Sequence, residues 1–247
     1  MRIDKIALLF FVLYVVLVTA CAASPTSLML YYENRPPFMF LQNGKLIGPE
    51  GKAATDAFVA AGVDFTLTEA PGARELDWIE KNLTPSCAIG IYKTPERVRL
   101  GKFTQPIYLK QGKVIVVRTD NQRINSYRLM TPLLADPQIS LVMRNGYSYG
   151  DKLDAMLALA RARLQWLPED SHGRIKMVLK GMVDGALFTP LEADYQIKEF
   201  GEEGTVLKTM TFNDSPPGEY SYIYCSNSVD DGVINMLNSA LKKLKLN

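Results

Sequence analysis

The chain has 247 residues, of which 47% are hydrophobic and 10% aromatic, and its formal net charge is +2. This composition excludes an intrinsically disordered chain, because disorder goes with few aromatic residues and a high net charge. The net charge is small and both signs are interspersed, so nucleic acid is not an expected partner. The length suits one large domain or two lobes of roughly 100–125 residues each.

The first residues have the pattern of a secretory signal peptide. Arg2 and Lys5 precede an apolar run from Ile6 to Ala20, and small residues follow. The run of about 15 residues is short for a membrane span of roughly 20, although a retained anchor helix remains an alternative. We therefore expect residues 1–23 to be a signal peptide and the mature protein to lie in the periplasm or on the cell envelope.

Two ways of processing this segment remain open. The stretch Val18-Thr19-Ala20-Cys21 is similar to a bacterial lipobox, in which the cysteine is lipidated and becomes the first mature residue. The alternative is ordinary cleavage near Ala22 or Ala23. In the first case Cys21 carries a lipid anchor, which is the only membrane contact that we expect.

Strand-like apolar runs then alternate with amphipathic helical patterns, which predicts an α/β class with two mostly parallel sheets and helices on both faces. The first half predicts strands at Ser27–Tyr32, Asp64–Thr68, Cys87–Tyr92 and Lys113–Arg118, and helices at Glu50–Ala61 and Arg74–Lys81. The second half predicts strands at Ile139–Met143, Leu164–Leu167, Gly185–Phe188 and Val206–Thr211, and helices at Asp151–Leu164, Ser171–Gly181 and Pro190–Phe200. A strand at Tyr220–Cys225 and a helix at Val233–Leu244 close the chain.

Two stretches rich in Pro and Gly, Gln105–Gly112 and Asn213–Gly218, separate these units and are the expected crossovers. They divide the mature chain into a first lobe of residues 24–108 plus 219–247 and a second lobe of residues 109–218. Two lobes joined by two short segments form a hinge with a cleft, where small-molecule sites usually lie. We expect the lobes to close on a ligand.

The sequence offers little for metal or cofactor chemistry. His172 is the only histidine, so a histidine-rich metal site is excluded, and no metal or cofactor is expected. We expect His172 to be exposed in the first turn of a helix.

The segment Thr94-Pro95-Glu96-Arg97 follows a strand and begins a helix. Thr94 is suited to the N-cap and Pro95 to the first helical position. Arg97 is unusual, because a cation in the first turn opposes the helix dipole. It is either a surface residue paired with Glu96 or Asp77, or an anchor for a carboxylate or phosphate.

An ordered series of motifs carries a family resemblance. Pro36-Pro37-Phe38, Asn43-Gly44-Lys45-Leu46-Ile47-Gly48, Thr94-Pro95-Glu96-Arg97 and Phe103-Thr104-Gln105-Pro106 together resemble bacterial extracellular solute-binding proteins of family 3 from about Ser27 to the C-terminus. These are the amino-acid-binding periplasmic proteins of transport systems. The resemblance implies a two-lobed type II periplasmic-binding fold, a small-molecule ligand, an ABC permease as partner and a monomer without catalytic residues.

The resemblance also implies a ligand site. Arg97 is the residue that grips the ligand carboxylate, and Gly146-Tyr147-Ser148 resembles the second-lobe turn that touches the same group. From the residues alone, Ser148 is instead an N-cap with Asp151 at its third position, and both roles can hold together. The other candidate contacts are Gly90, Tyr92, Tyr32, Arg35 and Phe38.

The sequence departs from the family's pattern at the ammonium site. Thr189 stands where the family has the aspartate that holds the ligand ammonium. Glu192 is near, but Thr189-Pro190-Leu191-Glu192 is itself a capping box, so its role is structural or ligand-binding. Arg35 replaces the aromatic residue that stacks on the ligand, and Tyr92 replaces a small polar residue. The pocket therefore implies a ligand other than a standard α-amino acid.

Apart from Cys21 of the leader region, the chain has two cysteines, Cys87 and Cys225, and an exported chain meets an oxidising compartment. In the resembled fold their strands are antiparallel neighbours, which implies that the two residues are close. They form either a disulfide or two buried thiols.

Three functions are compatible with these observations. The first is a receptor that delivers a small carboxylate-bearing solute to an ABC permease. The second is a sensory or envelope-binding module of the same fold. The third is an enzyme of the dehydratase type, for which Lys93, Glu33 and Glu192 are the acid–base candidates although they form no recognisable pair.

Overall fold

The strands of the protein form two five-stranded sheets and one small hairpin in a computed structural model that describes residues 27–168 and 170–244. The expected signal peptide, including Cys21, lies outside these residues. Within these two ranges no helix is long and apolar enough to cross a membrane. In chain order the strands are β1 (Leu28–Tyr32), β2 (Phe40–Gln42), β3 (Lys45–Ile47), β4 (Phe65–Glu69), β5 (Ser86–Tyr92), β6 (Gly101–Leu109), β7 (Val114–Arg118), β8 (Ser140–Arg144), β9 (Arg163–Leu167), β10 (Gly185–Phe188), β11 (Leu207–Met210) and β12 (Tyr220–Ser226).

The helices lie between these strands and after the last of them. They are α1 (Pro49–Ala61), α2 (Gly72–Lys81), α3 (Pro95–Leu100), α4 (Gln122–Asn125), α5 (Met130–Ala135), α6 (Asp151–Ala158), α7 (Ser171–Leu179), α8 (Pro190–Glu199) and α9 (Asp231–Leu244), with a 3-10 turn at Gly201–Val206.

Each sheet is parallel except for one strand. The first sheet has the order β4-β1-β5-β12-β6, and the second has the order β11-β7-β10-β8-β9. Only β12 in the first sheet and β7 in the second run against the other four strands. Both are the first strand after the chain has crossed from the other sheet. We refer to the first sheet with its helices as lobe 1 and to the second as lobe 2.

Helices cover both faces of each sheet. In lobe 1, Phe58 of α1 and Leu237 of α9 pack against one face of the sheet, and Ile79 of α2 packs against the other. In lobe 2, α5 and α6 cover one face while α7 and α8 cover the other. Each lobe therefore has its own hydrophobic core. Burying one large aliphatic side chain in such a core stabilises the fold by roughly 1.5–3 kcal/mol.

The two crossovers, residues 110–113 and 211–219, lie side by side. The Lys110 amide donates to the Glu219 carbonyl oxygen at 3.0 Å, and Ser215 Oγ donates to the Lys113 carbonyl oxygen at 2.8 Å. A Cβ atom at Gly218 would lie 1.8 Å from the Lys110 carbonyl oxygen, so only glycine permits this approach.

The expected crossover at Gln105–Gly112 was placed too early. Strand β6 continues through Pro106 to Leu109 and pairs with β12. Proline lacks an N–H group and is tolerated here because β6 is the edge strand of its sheet.

The expected helix Asp151–Leu164 is also wrong at its C-terminal end, since α6 ends at Ala158. The amides of Arg161 and Ala162 donate to the Leu134 carbonyl oxygen at 2.8 and 2.9 Å. This turns the chain into β9, which pairs with β8.

A disulfide bond joins two neighbouring strands in the centre of lobe 1. The antiparallel register of β5 and β12 places Cys87 opposite Cys225. Their Cα atoms are 4.0 Å apart and their sulfur atoms are bonded. The bond ties the returning strand β12 to the part of lobe 1 that is formed before the first crossover.

Candidate functional site

The cleft lies between the two lobes, where strand ends of lobe 1 face strand ends of lobe 2. The segment after β1 and the end of β5 come from lobe 1, while the segments after β8 and β10 come from lobe 2. In α/β sheets the carboxyl ends of strands are where ligands usually bind.

A buried ion pair crosses the cleft. Arg35, after β1, donates from Nε and Nη2 to the two carboxylate oxygens of Glu192 in the first turn of α8, at 3.1 and 2.9 Å. Ser171 Oγ donates to the same carboxylate at 2.6 Å, and Arg174 lies 3.9 Å from it. We call the Arg35–Glu192 pair the latch.

Both residues of the latch are strongly stabilised in their charged forms. Burial alone would raise the pKa of Glu192, but Arg35, through its charge and its hydrogen bonds, and then Arg174 lower that pKa well below its ordinary value. Burial opposes the charge of Arg35 as well, yet Glu192 and its other neighbours raise its pKa above the usual range. Both groups are therefore ionised at any physiological pH.

A second contact joins the lobes beside the latch. Glu33, two residues before Arg35, accepts a hydrogen bond from the Tyr147 hydroxyl and forms an ion pair with Arg144 of lobe 2. Arg35 also donates to the Tyr147 hydroxyl at 3.2 Å, with its guanidinium carbon 5.0 Å from the centre of the Tyr147 ring. The structure is therefore held closed by the protein's own side chains.

Beside these contacts a small cavity remains between the lobes. Its volume is about 30 Å³, and a water molecule needs roughly 10–15 Å³ by this measure, so only a few waters fit. Entry of a solute therefore requires the lobes to separate. The lining includes Glu33, Gly72, Glu75, Gly90, Tyr92, Arg97, Gly146, Tyr147 and Ser148.

Arg97 lies at the cavity in the setting that the sequence predicts. Thr94 is the N-cap of α3 and accepts a hydrogen bond from the Arg97 amide at 3.3 Å. The Arg97 guanidinium donates to the Tyr92 carbonyl oxygen at 3.0 Å. Within the described residues it forms no ion pair with Glu96, Asp77 or any other acid.

The sequence of this chain matches the family model "Bacterial extracellular solute-binding proteins, family 3" over residues 28–247. The chain belongs to this family. A search of curated protein sequences finds no match.

Solved structures of similar fold include amino-acid-binding proteins. An ancestral arginine-binding protein bound to arginine is 19% identical, with a TM-score of 0.71 over 89% of this chain and 92% of its own. The arginine-, lysine-, histidine-binding protein ArtJ from Geobacillus stearothermophilus is 18% identical, with a TM-score of 0.70 over 89% of both chains. The ancestral amino-acid-binding protein AncCDT-1, a precursor of cyclohexadienyl dehydratase, is 18% identical, with a TM-score of 0.67 over 89% of both chains. At this identity the likeness shows the type II periplasmic-binding fold alone.

Not all of the candidate residues meet at the cavity. Gly90, Tyr92, Arg97, Tyr147 and Ser148 line it. The other five, of which Thr189 is described below, lie elsewhere. Arg35 and Glu192 form the latch, Phe38 is buried with its ring centre 5.2 Å from the Arg35 guanidinium carbon, and the Tyr32 hydroxyl donates to Glu69 at 3.2 Å.

Thr189 is buried and does not line the cavity. Its hydroxyl accepts a hydrogen bond from the Glu192 amide at 3.4 Å, as an N-cap does. The predicted capping box is therefore half formed, because the Glu192 carboxylate reaches across the cleft to Arg35 instead of back to Thr189.

Ser148 is not the N-cap that was expected from the residues. Helix α6 begins at Asp151 after Gly150, and Ser148 Oγ donates to Asp154 Oδ2 at 2.6 Å. The stretch Gly146–Gly150 also matches the Gly-x-Ser-x-Gly pattern of hydrolase nucleophiles. The chain's one histidine, His172, is exposed and stacks on Phe200 at 4.3 Å, so Ser148 has no imidazole base.

Two buried groups at the cleft were not expected from the sequence. Glu75 of α2 faces the cavity. Lys113, at the first crossover, lies 3.4 Å from the Tyr92 hydroxyl, and burial, followed by the charge of Arg35, lowers the pKa of Lys113 to about 7. Glu75 lies among charged residues of a helix and Lys113 lies at the first position of a predicted strand, where charged side chains are usually exposed, so no pattern singled them out.

Gly90 is required by the site. Its φ of +79° is unfavourable for other residues, and a Cβ atom there would lie 2.8 Å from the Met39 side chain and 3.0 Å from Glu50. The Gly90 carbonyl oxygen accepts a hydrogen bond from Lys110 at 3.2 Å, and Lys110 is itself paired with Glu50 at 2.9 Å. This buried pair fixes the end of β5 next to the cavity.

Proposed function

We propose that the protein is an exported receptor that captures a small carboxylate-bearing solute between its lobes and delivers it to an ABC permease. The observation that carries this proposal is Arg97, a guanidinium that lines the interlobe cavity and has no acidic partner among residues 27–168 and 170–244. A guanidinium fork binds a carboxylate through two parallel hydrogen bonds. Family membership and the similar substrate-binding protein of an amino acid ABC transporter support the transport role.

Arg97→Lys tests the carboxylate anchor. Lysine keeps the charge but loses the fork, so affinity for carboxylates should fall roughly tenfold or more. A thermal-shift screen of small mono- and dicarboxylates first finds a ligand, and calorimetry then compares the variants. Arg99→Lys, at an exposed position of the same helix, is the matched control. Equal affinities of wild type and Arg97→Lys would remove Arg97 from the site.

Delivery to a permease is tested in cells. Uptake of the labelled ligand should fall when the gene is deleted and return when the wild-type gene, but not Arg97→Lys, is supplied. Binding without any change in uptake would instead favour the sensory or envelope-binding module. Fractionation of the same cells, with Cys21→Ser as a variant, tests whether the receptor is periplasmic or lipid-anchored.

We further propose that the cleft binds its solute without turnover. Glu33 is held by Arg144 and Tyr147, Glu192 is held ionised by Arg35, and Lys93 is exposed, so none of the three acid–base candidates is free to exchange a proton inside the cleft. Prephenate incubated with the protein should yield no phenylpyruvate. Steady formation of product, lost on mutation of a cleft acid, would establish an enzyme.

A further inference from the structure

Glu75 of α2 is a buried acid without a visible partner. Its side chain is 1% exposed, its Oε1 atom has no hydrogen-bond partner within the described residues, and it lines the interlobe cavity. Buried polar atoms in proteins almost always have partners, so an exception asks for an explanation. A buried carboxyl group without hydrogen bonds lowers the stability of the fold. A purely structural role therefore does not explain Glu75.

Within the described residues, the other three buried acids each pair with a cation, which sets Glu75 apart. Three ion pairs account for them: Arg35 with Glu192, Arg144 with Glu33, and Lys110 with Glu50.

The surroundings of Glu75 favour a cationic ligand group. Burial and then the nearby charge of Glu33 raise the pKa of Glu75 well above its usual range, with Arg144 opposing them. A cation placed beside Glu75 would relieve both effects, because it would stabilise the carboxylate. Gly72, one turn before Glu75, adds no side chain to the cavity, and a Cβ atom there would crowd the Tyr147 ring at 3.3 Å and a Glu33 oxygen at 3.4 Å.

We propose that Glu75 is the cation-binding residue of the cleft and that the solute carries an amine or guanidinium group as well as a carboxylate. This rests on the proposed function, in which Arg97 binds the carboxylate. The two groups lie on separate helices of lobe 1, α2 and α3, and both line the same cavity. Thr189, which stands where the family has its acid for the α-ammonium group, does not line this cavity, and Glu75 binds a cationic group elsewhere in the solute.

The test compares two probes that differ only in charge. 4-Guanidinobutyrate has a cationic head, whereas 4-ureidobutyrate has a neutral head of nearly the same shape, and both carry the same carboxylate. Calorimetry on the wild-type protein should show the guanidino compound binding roughly 10- to 100-fold more tightly, as a charged hydrogen bond predicts. In Glu75→Gln this ratio should fall to near one, while in Asp77→Asn, an exposed acid of the same helix, it should persist.

A melting curve separates this role from a structural one. Because Glu75 is buried without a partner, Glu75→Gln should melt at the same temperature as the wild type or higher, even though its preference for the cation is lost. A lower melting temperature together with an unchanged ratio would show a structural residue and overturn the inference.

The remaining outcomes separate this inference from the proposed function. Equal binding of the two probes to the wild type, weakened for both in Arg97→Lys, would overturn the role of Glu75 and leave the carboxylate receptor standing. A ratio above ten in the wild type that survives in Glu75→Gln would also overturn it. Failure of both probes to bind at any concentration up to their solubility would count against both proposals.

Discussion

Breaking the latch should open the cleft and leave both lobes folded. Glu192→Gln removes the carboxylate to which Arg35 donates at 3.1 and 2.9 Å, but keeps the size of the side chain. Arg35 is 6% exposed in the closed arrangement, so its charge would remain buried with only an amide oxygen and the Tyr147 hydroxyl to accept from it.

The cost of that buried charge sets the size of the effect. Removing one partner of a buried ion pair destabilises the arrangement that buries it by roughly 3–5 kcal/mol. The protein avoids this cost by separating its lobes, because Arg35 then meets water while the cores of both lobes and the disulfide of lobe 1 stay intact. The closed-to-open ratio should therefore fall by roughly 10²-fold to several 10³-fold.

Small-angle X-ray scattering measures this shift directly. Glu192→Gln should have a larger radius of gyration than the wild type, and Glu199→Gln, an exposed acid at the end of the same helix, should not. The double variant Arg35→Met with Glu192→Met removes both buried charges, and its scattering should return towards that of the wild type. Identical curves for wild type and Glu192→Gln, with equal melting temperatures, would refute the latch.

Three further outcomes are expected. Replacing Cys87 and Cys225 by serine should lower the free energy of unfolding by about 2–5 kcal/mol in a urea titration, because the bond closes a loop between residues 138 apart; two free thiols in the unfolded, unreduced wild type would contradict the bond. Alanine, glutamine and other α-amino acids without a cationic side chain should bind poorly in calorimetry, because Thr189 caps α8 and offers no carboxylate; micromolar binding of any of them would contradict this. Burial lowers the pKa of Lys113 from 10.5 to about 7. Between these pH values the unfolded chain binds more protons than the folded protein, so wild-type stability rises with pH. Lys113→Met should flatten this pH dependence of stability. Urea titrations at the two ends of that window check it, and an equal rise in the variant would exclude Lys113 as its cause.

Much of the fold follows from local patterns in the sequence. The sequence predicts both ends of the strand Gly185–Phe188 correctly. It also predicts that Pro95 begins a helix and that Thr94 is its N-cap. The hairpin of β2 and β3 was missed, although Asn43 and Gly44 both have positive φ, as a two-residue turn requires, and such a dipeptide signals a hairpin. Local chemistry could therefore have supplied this element too.

The latch and Glu75 could not be predicted in the same way. Arg35 and Glu192 are separated by 157 residues, and no local pattern joins them, since Glu192 is already explained as part of a capping box. Glu75 follows Arg74 in a helix whose sequence is amphipathic, where an acid is typical of a solvated face. Only the packing of α2 against the cleft shows that it is buried.

The placement of these groups bears on how the protein handles its solute. Arg97 and Glu75 both belong to lobe 1, on α3 and α2, whereas lobe 2 contributes Tyr147 and Ser148 from the turn after β8. If the solute's charges are held by lobe 1, it can dock on the open protein, and lobe 2 then closes over it. The latched cavity holds only a few waters, so the lobes cannot return to this full closure around the solute. Because a ligand shifts a conformational equilibrium only by its differential affinity for the two states, the latch opposes binding. Arg97→Lys and Glu75→Gln should therefore bind the solute more weakly than the wild type, whereas Glu192→Gln should bind it at least as tightly.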